Sequence, residues 1–160
     1  MLRPIDVAPA IGSDAEEIVA LHQAIAIQRK PEHLAPWPVH SVDQVRMMIG
    51  AADVFVARDA GVLVASFRLT RAKPYPTGVR FRSDLLALEL VDMAVDPTRQ
   101  GQGVGPRCLE EARRFAKEVS PGVAAIHLDT DSERAVRVYK RCGFVEVGRV
   151  SEKVYLQLIL

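Results

Sequence analysis

The sequence lacks several features that would assign the protein to a specialised class. Only two cysteines occur in 160 residues, Cys108 and Cys142, and their spacing matches neither a metal-ligand pattern nor a CxxC redox motif. A disulfide-stapled scaffold and a thiolate metal site are therefore not indicated. We predict that both are reduced thiols that act as small packing residues.

A large net charge and long apolar runs are also missing. The net charge is +1, which gives no reason to expect a nucleic acid or another polyanion as partner. Charged residues interrupt the apolar runs well before they reach the length of a membrane span, and the first residues, MLRPIDVAPA, lack the hydrophobic core of a signal peptide. We therefore expect no membrane partner and a cytoplasmic location.

What the sequence does contain is typical of one folded domain. Apolar residues make up 49% and charged residues 26% of the chain, and 160 residues can bury a substantial core. We predict a single domain over residues 1–160. The periodicity gives the order strand, two helices, three strands, helix, strand, helix, two strands. This order predicts a mixed α/β sheet with helices on its faces.

The predicted elements have the following bounds. The strands are Leu2–Val7, Asp53–Arg58, Val62–Leu69, Asp84–Val95, Val123–Asp129, Phe144–Val150 and Val154–Leu160, and the helices run from Ser13 to about Lys30, Ser41 to Gly50, Val104 to Val119 and Thr130 to Cys142. The pattern leaves the last strand with two placements, either central in the sheet or at an edge that pairs with a second subunit.

The most informative stretch is a glycine-rich loop between a strand and a helix. Glycines at positions 101, 103 and 105 directly precede a helical pattern that begins near Val104. Glycine lets the backbone approach a phosphate closely, and the N–H groups at a helix start favour an anion. A dinucleotide fingerprint would need a glycine where Pro106 stands, and a Walker loop needs a Gly-Lys-Ser/Thr ending. The loop therefore predicts a phosphate cradle of a different kind.

Two motifs indicate which kind of phosphate-binding loop this is. Gln100-Gly101-Gln102-Gly103-Val104-Gly105 matches the pattern Q/R-x-x-G-x-G/A, and residues 135–144 match A-x-x-x-Y-x-x-x-G-F, one strand and one helix later. In this order the motifs resemble the GNAT superfamily of acetyl-CoA-dependent N-acetyltransferases. The resemblance implies an acyl-CoA N-acyltransferase fold, with a twisted, mostly antiparallel sheet of about seven strands flanked by about four helices.

The resemblance also implies how acetyl-CoA, the cosubstrate, is held without a metal. Backbone groups of the strand before the loop would pair with the pantetheine arm, and loop amides would hold the pyrophosphate. The implied cofactor-binding residues are Met93, Ala94, Val95, Gln100, Gly101, Gln102, Gly103, Val104, Gly105 and Ser132. Ser132 stands where the family often has asparagine and serves equally as a helix-start residue. Pro106 departs from the family pattern and removes one N–H donor from the cradle.

The implied reaction is attack of a primary amine on the thioester. An alkylammonium has a pKa near 10.4, so a base must remove a proton, and an acid eases departure of the thiolate. Tyr139 matches the general-acid position of the family. Glu89 matches a position that some members use as base, while Asp92 and His127 stay open as alternatives. Strict alternation along the strand predicts that Glu89 and Asp92 lie on opposite faces, and each is the polar exception on its face. Apolar surroundings raise the pKa of a carboxylate, which suits a base.

The functional prediction is an N-acetyltransferase that acetylates a small-molecule primary amine by direct attack in a ternary complex. A non-catalytic acyl-CoA-binding or regulatory domain and a protein or peptide N-acetyltransferase are the alternatives. Acceptor-binding segments are expected in Pro31–His40, Lys73–Ser83 and the last hairpin, and none of these sequences identifies the amine. Trp37, in the first segment, is expected to be a packing anchor. Family members often pair, so a homodimer is a further expectation.

Overall fold

The computed structural model describes residues 4–31, 34–51, 53–82 and 84–160. The strands are β1 (Ile5–Pro9), β2 (Asp53–Asp59), β3 (Val62–Arg71), β4 (Ala87–Val95), β5 (Ala125–Thr130), β6 (Val145–Val150) and β7 (Lys153–Ile159). The helices are α1 (Ala15–Arg29), α2 (Val42–Ala51), α3 (Val104–Val119) and α4 (Glu133–Arg141). The predicted order of elements is confirmed. The predicted start of the fourth strand at Asp84 is wrong, because Asp84 lies in a turn, and Leu2 of the predicted first strand lies outside the described residues.

Within the described residues, seven strands form one mixed sheet in the order β1-β2-β3-β4-β5-β7-β6, flanked by four helices. The pairs β1–β2, β5–β7 and β6–β7 are antiparallel, and β4–β5 is parallel. The predicted fold class is therefore confirmed. Because β7 lies between β5 and β6, the central placement of the last strand is the correct one.

The chain divides into two compact units, Met1–Arg68 with Asp92–Cys108 and Leu69–Val91 with Leu109–Leu160. The core of the first unit joins α1 and α2 to buried residues of β2, β3 and β4. Its members are Ala15, Ile18, Leu21, Ile25, Val45, Val54, Val56, Leu63 and Ala94. Trp37 packs against this cluster, which confirms its predicted packing role. The prediction of a single domain over residues 1–160 stays a prediction.

In the second unit, the loop between β3 and β4 is fastened to β6. The backbone N–H of Arg80 donates to the carbonyl of Val147 at 2.9 Å. A Cβ added at Gly148 would lie 3.0 Å from the carbonyl oxygen of Gly78, so glycine is needed for this close approach. The loop is therefore anchored at the edge of the sheet.

Local chemistry explains where the helices begin. Ser41 and Gln44 form reciprocal side-chain to backbone hydrogen bonds at the start of α2, as the predicted cap requires. The cap of α4 is Ser132, whose Oγ accepts from the N–H of Ala135. The predicted capping box on Thr130 is wrong by two residues, because the Thr130 hydroxyl instead accepts from the N–H of Ser132. Among the helices of the described residues, none has the length and apolar content to cross a bilayer.

Candidate functional site

The glycine-rich loop lies at the start of α3, as predicted. Gly101 and Gly103 have positive φ of 77° and 83°, and a Cβ added at either would meet no atom within 4 Å. Glycine is therefore required by conformation rather than by space, and another residue there costs about 1–2 kcal/mol. The helix begins with Val104, directly after Gly103. The first-turn N–H groups of α3 consequently follow two residues in the left-handed conformation.

Pro106 is the third residue of α3. Backbone N–H groups in the first turn have no partner within the helix, so proline there costs the helix no hydrogen bond. The N–H of Arg107 already bonds to the Gly103 carbonyl at 3.1 Å. Pro106 therefore suits the helix, and its effect on pyrophosphate binding stays a prediction.

The two glutamines of the loop use their side chains to hold the loop in place. The amides of Gln100 and Gln28 exchange two hydrogen bonds of 2.8 and 3.0 Å, and Gln100 Nε2 also donates to the Val95 carbonyl at 3.2 Å. Gln102 Nε2 donates to the Thr98 carbonyl at 3.2 Å. Both side chains are therefore engaged within the chain, and the predicted binding role of Gln100 and Gln102 stays a prediction.

Asp92 interrupts the alternation predicted for β4. Its φ of 53° lies in the left-handed region, whereas strict alternation requires extended backbone throughout. Its Oδ2 accepts a hydrogen bond from Arg68 Nε at 2.9 Å and forms an ion pair with Nη2 at 2.7 Å. The left-handed region costs an L-residue about 1–2 kcal/mol at most and aspartate less than most, whereas hydrogen bonds to charged groups contribute about 1.5–3 kcal/mol, so the ion pair offsets the strain. As a candidate base, Asp92 is already engaged with a guanidinium.

Glu89 has a different environment. It is 6% exposed, and its Oε2 has no hydrogen-bond partner among the described residues. Burial raises the pKa of Glu89, the carboxylate of Asp129 raises it further, and Lys73 and Lys153 oppose the shift. A buried carboxyl with a raised pKa and an unpartnered oxygen has the properties of a general base. The predicted preference for Glu89 over Asp92 as base therefore has physical support, and the role itself stays a prediction.

His127 is the Cα partner of Glu89 in the parallel β4–β5 pairing. Its Nε2 lies 2.9 Å from Gln157 Nε2, so the amide N–H donates and the proton of the neutral ring is assigned to Nδ1. Burial lowers the pKa of His127 to about 4, which keeps the ring neutral at pH 7. Its Nε2 is thus engaged with Gln157, while its buried Nδ1 has no hydrogen-bond partner among the described residues, and the role of His127 as base stays a prediction.

Two aromatic side chains of the β3–β4 loop cover His127. The Phe81 ring stacks on the imidazole with centroids 3.9 Å apart, and the Tyr75 ring lies 4.0 Å from that of Phe81. Burial and the charge of Glu89 raise the pKa of Tyr75, and its buried hydroxyl has no hydrogen-bond partner among the described residues. The sequence reasoning missed both side chains, although the alternation of aromatic and basic residues in KPYPTGVRFRS is a signal for them. Ser83, the end of the predicted acceptor segment, lies outside the described residues.

The end of α4 explains why Tyr139 is followed by Gly143 and Phe144. Gly143 has a φ of 97°, its N–H bonds to the Lys140 carbonyl, and the N–H of Phe144 bonds to the Tyr139 carbonyl. This is a Schellman ending, in which glycine reverses the chain and the two flanking apolar residues meet. The rings of Tyr139 and Phe144 accordingly make an edge contact with centroids 5.6 Å apart. Burial raises the pKa of Tyr139, so its hydroxyl stays protonated at neutral pH, as a general acid requires.

Residues 22–144, which contain both motifs, match the acetyltransferase (GNAT) family. The chain belongs to the GNAT acetyltransferase family. It is 34% identical over 116 residues to an uncharacterized protein of Mycobacterium leprae. The aligned region covers 71% of this chain and 28% of that protein. It is 27% identical over 146 residues to N-alpha-acetyltransferase RimI of Mycobacterium tuberculosis, which covers 91% of this chain and 81% of RimI. The chain thus spans little more than a quarter of the length of the M. leprae protein.

Among solved structures, YncA of Salmonella typhimurium, solved with its cofactor acetyl-CoA, has the same fold. Its TM-score is 0.74 at 17% identity, with 98% of this chain and 94% of YncA covered. At this identity the likeness concerns the fold alone. It agrees with the GNAT sheet and helix order predicted from the sequence.

The predicted site residues of this GNAT chain fall into two groups. In the first unit, Gln100 bonds to the carbonyl of Val95 and so links the glycine loop to the Met93–Val95 segment. The second unit contains Glu89, His127, Ser132 and Tyr139. Ser132 caps α4, which confirms its helix-start role, and its predicted contact with the pantetheine arm stays a prediction.

Proposed function

We propose that this GNAT chain transfers an acetyl group from acetyl-CoA to a primary amine. The observation that carries the proposal is the left-handed backbone at Gly101 and Gly103 directly before α3, in a chain of this family. With no Cβ on either residue, the backbone can approach a phosphate closely, and the first-turn N–H groups of α3 favour its charge. The likeness to YncA, a protein solved with acetyl-CoA, supports the same cosubstrate.

The proposed binding groups are backbone atoms. The N–H groups of Gln102–Gly105 would hold the pyrophosphate, and those of Met93–Val95 would pair with the pantetheine arm. When bound, acetyl-CoA supplies an activated acetyl group and a thiolate leaving group. Because Gln100 already bonds to the Val95 carbonyl, the glycine loop also fixes the end of the segment that would hold the arm.

In the proposed reaction, Glu89 and Tyr139 of this chain transfer protons. Glu89 removes the proton that blocks the nitrogen lone pair of the incoming alkylammonium, and its raised pKa brings it closer to neutral pH than an ordinary glutamate. The Tyr139 hydroxyl gives its proton to the departing sulfur. The C–N bond forms and the C–S bond breaks, and loss of a second proton from nitrogen gives the amide. That second proton returns Tyr139 to its neutral form, and the proton held by Glu89 passes to solvent, which restores the carboxylate.

Two classes of acceptor follow from different observations. A small-molecule amine is the first candidate, as predicted from the sequence, whose net charge of +1 gives no acidic excess to attract a basic peptide. The α-amine of a protein N-terminus is the second candidate, favoured by the 27% identity to RimI over 91% of this chain. A non-catalytic acyl-CoA-binding domain is the alternative in which acetyl-CoA binds and no amine reacts.

The proposal is tested by calorimetric titration with acetyl-CoA followed by a thiol-release assay. The acceptor panel should contain diamines, aminoglycosides, amino acids and N-terminal peptides. We expect binding and release of CoA with one class, which then names the acceptor. Binding with no acceptor would support the non-catalytic alternative, and absence of acetyl-CoA binding would refute the proposed function.

The phosphate cradle gives a sharper test. Gly103→Ala is expected to weaken acetyl-CoA binding by about tenfold, because alanine resists the left-handed backbone by about 1–2 kcal/mol. Gly50→Ala is the matched control, since Gly50 lies in α2 and a Cβ there meets no atom within 4 Å. Isothermal calorimetry on both variants gives the comparison. Wild-type affinity in Gly103→Ala would remove this loop from the binding site.

A further inference from the structure

Asp92 has a backbone conformation that its local sequence does not explain. Three non-glycine residues in the described part of the chain have positive φ, namely Ala60, Asp92 and Ser151. Ala60 and Ser151 lie in the turns that join β2 to β3 and β6 to β7, where such values are common. Asp92 lies inside β4, with a valine and a methionine as neighbours. Aspartate enters the left-handed region more readily than most residues, but within a strand of extended backbone a tertiary contact is the expected restraint.

Arg68 of β3 makes that contact. Its Nε donates to Asp92 Oδ2 at 2.9 Å, and its Nη2 lies 2.7 Å from the same oxygen as an ion pair. The side chains of Arg68 and Asp92 are only 25% and 20% exposed, so the pair is partly shielded from solvent. The guanidinium is a rigid planar group, so one hydrogen bond and one ion-pair contact from it restrict the carboxylate more than a freely rotating ammonium would. The ion pair therefore restrains the aspartate and the backbone that bears it.

The segment after Asp92 is also fixed at its other end. The Val95 carbonyl accepts from Gln100 Nε2, and the N–H of Asp96 donates to the Val64 carbonyl at 2.8 Å. Between these points lie the peptide groups of Met93, Ala94 and Val95. A left-handed residue turns the peptide groups that follow it, so their direction depends on the conformation of Asp92.

We propose that Arg68 is a positioning residue that holds Asp92 in the left-handed conformation and so directs the backbone groups of Met93–Val95 toward the acyl-CoA arm. The inference rests on the proposed function, since it takes the arm as the ligand of that segment. Arg68 itself makes no contact with the ligand in this proposal. It acts through the backbone, which distinguishes it from a residue that binds the cosubstrate directly.

Glycine gives a test that separates these roles, because it adopts the left-handed conformation without restraint. Arg68→Met should weaken acetyl-CoA binding, measured by calorimetry, by about tenfold, the factor expected from losing one strained conformation. Asp92→Gly should bind within about threefold of wild type, because glycine adopts the left-handed backbone freely. The double variant Arg68→Met with Asp92→Gly should then bind as Asp92→Gly does, since Arg68 has nothing left to hold.

Three results would overturn the inference. Wild-type affinity in Arg68→Met would show that the ion pair does not position the segment. A double variant as weak as Arg68→Met alone would show that Arg68 acts by another route, such as direct contact with the ligand. Wild-type protein that does not bind acetyl-CoA would refute both the proposed function and the inference. Wild-type binding together with either of the first two results would refute the inference alone.

Folding is controlled with circular dichroism and thermal unfolding on every variant. Should Arg68→Met fail to fold, Arg68→Lys keeps the charge but loses the rigid planar guanidinium and its Nε hydrogen bond. It should then weaken binding in the Asp92 background and have no effect in the Asp92→Gly background. Equal effects in both backgrounds would contradict the positioning role.

Discussion

Tyr139→Phe is expected to lower the rate of acetyl transfer at neutral pH by about 100-fold, the lower end of the contribution that general acids make. The affinity for acetyl-CoA should stay nearly unchanged. The reason is that phenylalanine keeps the ring that packs on Phe144 and removes only the hydroxyl that would protonate the leaving sulfur. Single-turnover thiol release and calorimetry on the same preparation give the two quantities.

The packing role of Tyr139 needs its own control. Phe144→Leu loosens the same ring contact and keeps the hydroxyl of Tyr139. We expect it to lower the thermal midpoint more than Tyr139→Phe does, and to lower the transfer rate less. A Tyr139→Phe variant with the wild-type rate would remove Tyr139 from the chemistry and leave it as a packing residue of the Schellman ending.

Glu89→Gln is expected to change the pH dependence of the reaction. In the wild type, the rate should fall as pH drops through the raised pKa of Glu89, because the base becomes protonated. In the variant, the rate should follow only the fraction of amine that is already deprotonated, which grows toward a pKa near 10.4. The two profiles should differ on the order of 1,000-fold near pH 7, where only a small fraction of the amine is deprotonated, and should converge at high pH. A uniform loss at every pH would instead indicate a structural role.

Glu89→Gln, although it slows the reaction, should make the folded protein more stable at neutral pH. Because the folded-state pKa of Glu89 is raised, the fold favours the protonated carboxyl, and this contribution is present at low pH and lost as pH rises through that pKa. At neutral pH the buried carboxylate is therefore unfavourable. Glu89→Gln should raise the free energy of unfolding at pH 7 by about 1 kcal/mol, or about 2–4 °C in the thermal midpoint. Slower catalysis together with higher stability is the pattern expected of a functional residue.

Local rules account for the parts of the site that were predictable. Glycines at 101 and 103 have the positive φ that no other residue adopts cheaply, and Gly143 ends α4 for the same reason. Such requirements involve residues close together in the chain, so they can be predicted from the sequence. The cap of α4 was misplaced by two residues because Thr130, Ser132 and Glu133 offer two competing caps, and only the backbone path chooses between them.

The sequence by itself determined the GNAT fold class, the order of elements, the glycine loop before α3 and the motif that contains Tyr139. Tertiary structure alone decided the conformation of Asp92, its pairing with Arg68, the link from Gln100 to Gln28 and the cover of Tyr75 and Phe81 over His127. It also distinguished Glu89 from Asp92, since both are acids in one strand but differ in backbone conformation and in contacts. The physical reason is that these features depend on partners distant in sequence, whose meeting is fixed by strand pairing and packing rather than by neighbouring residues.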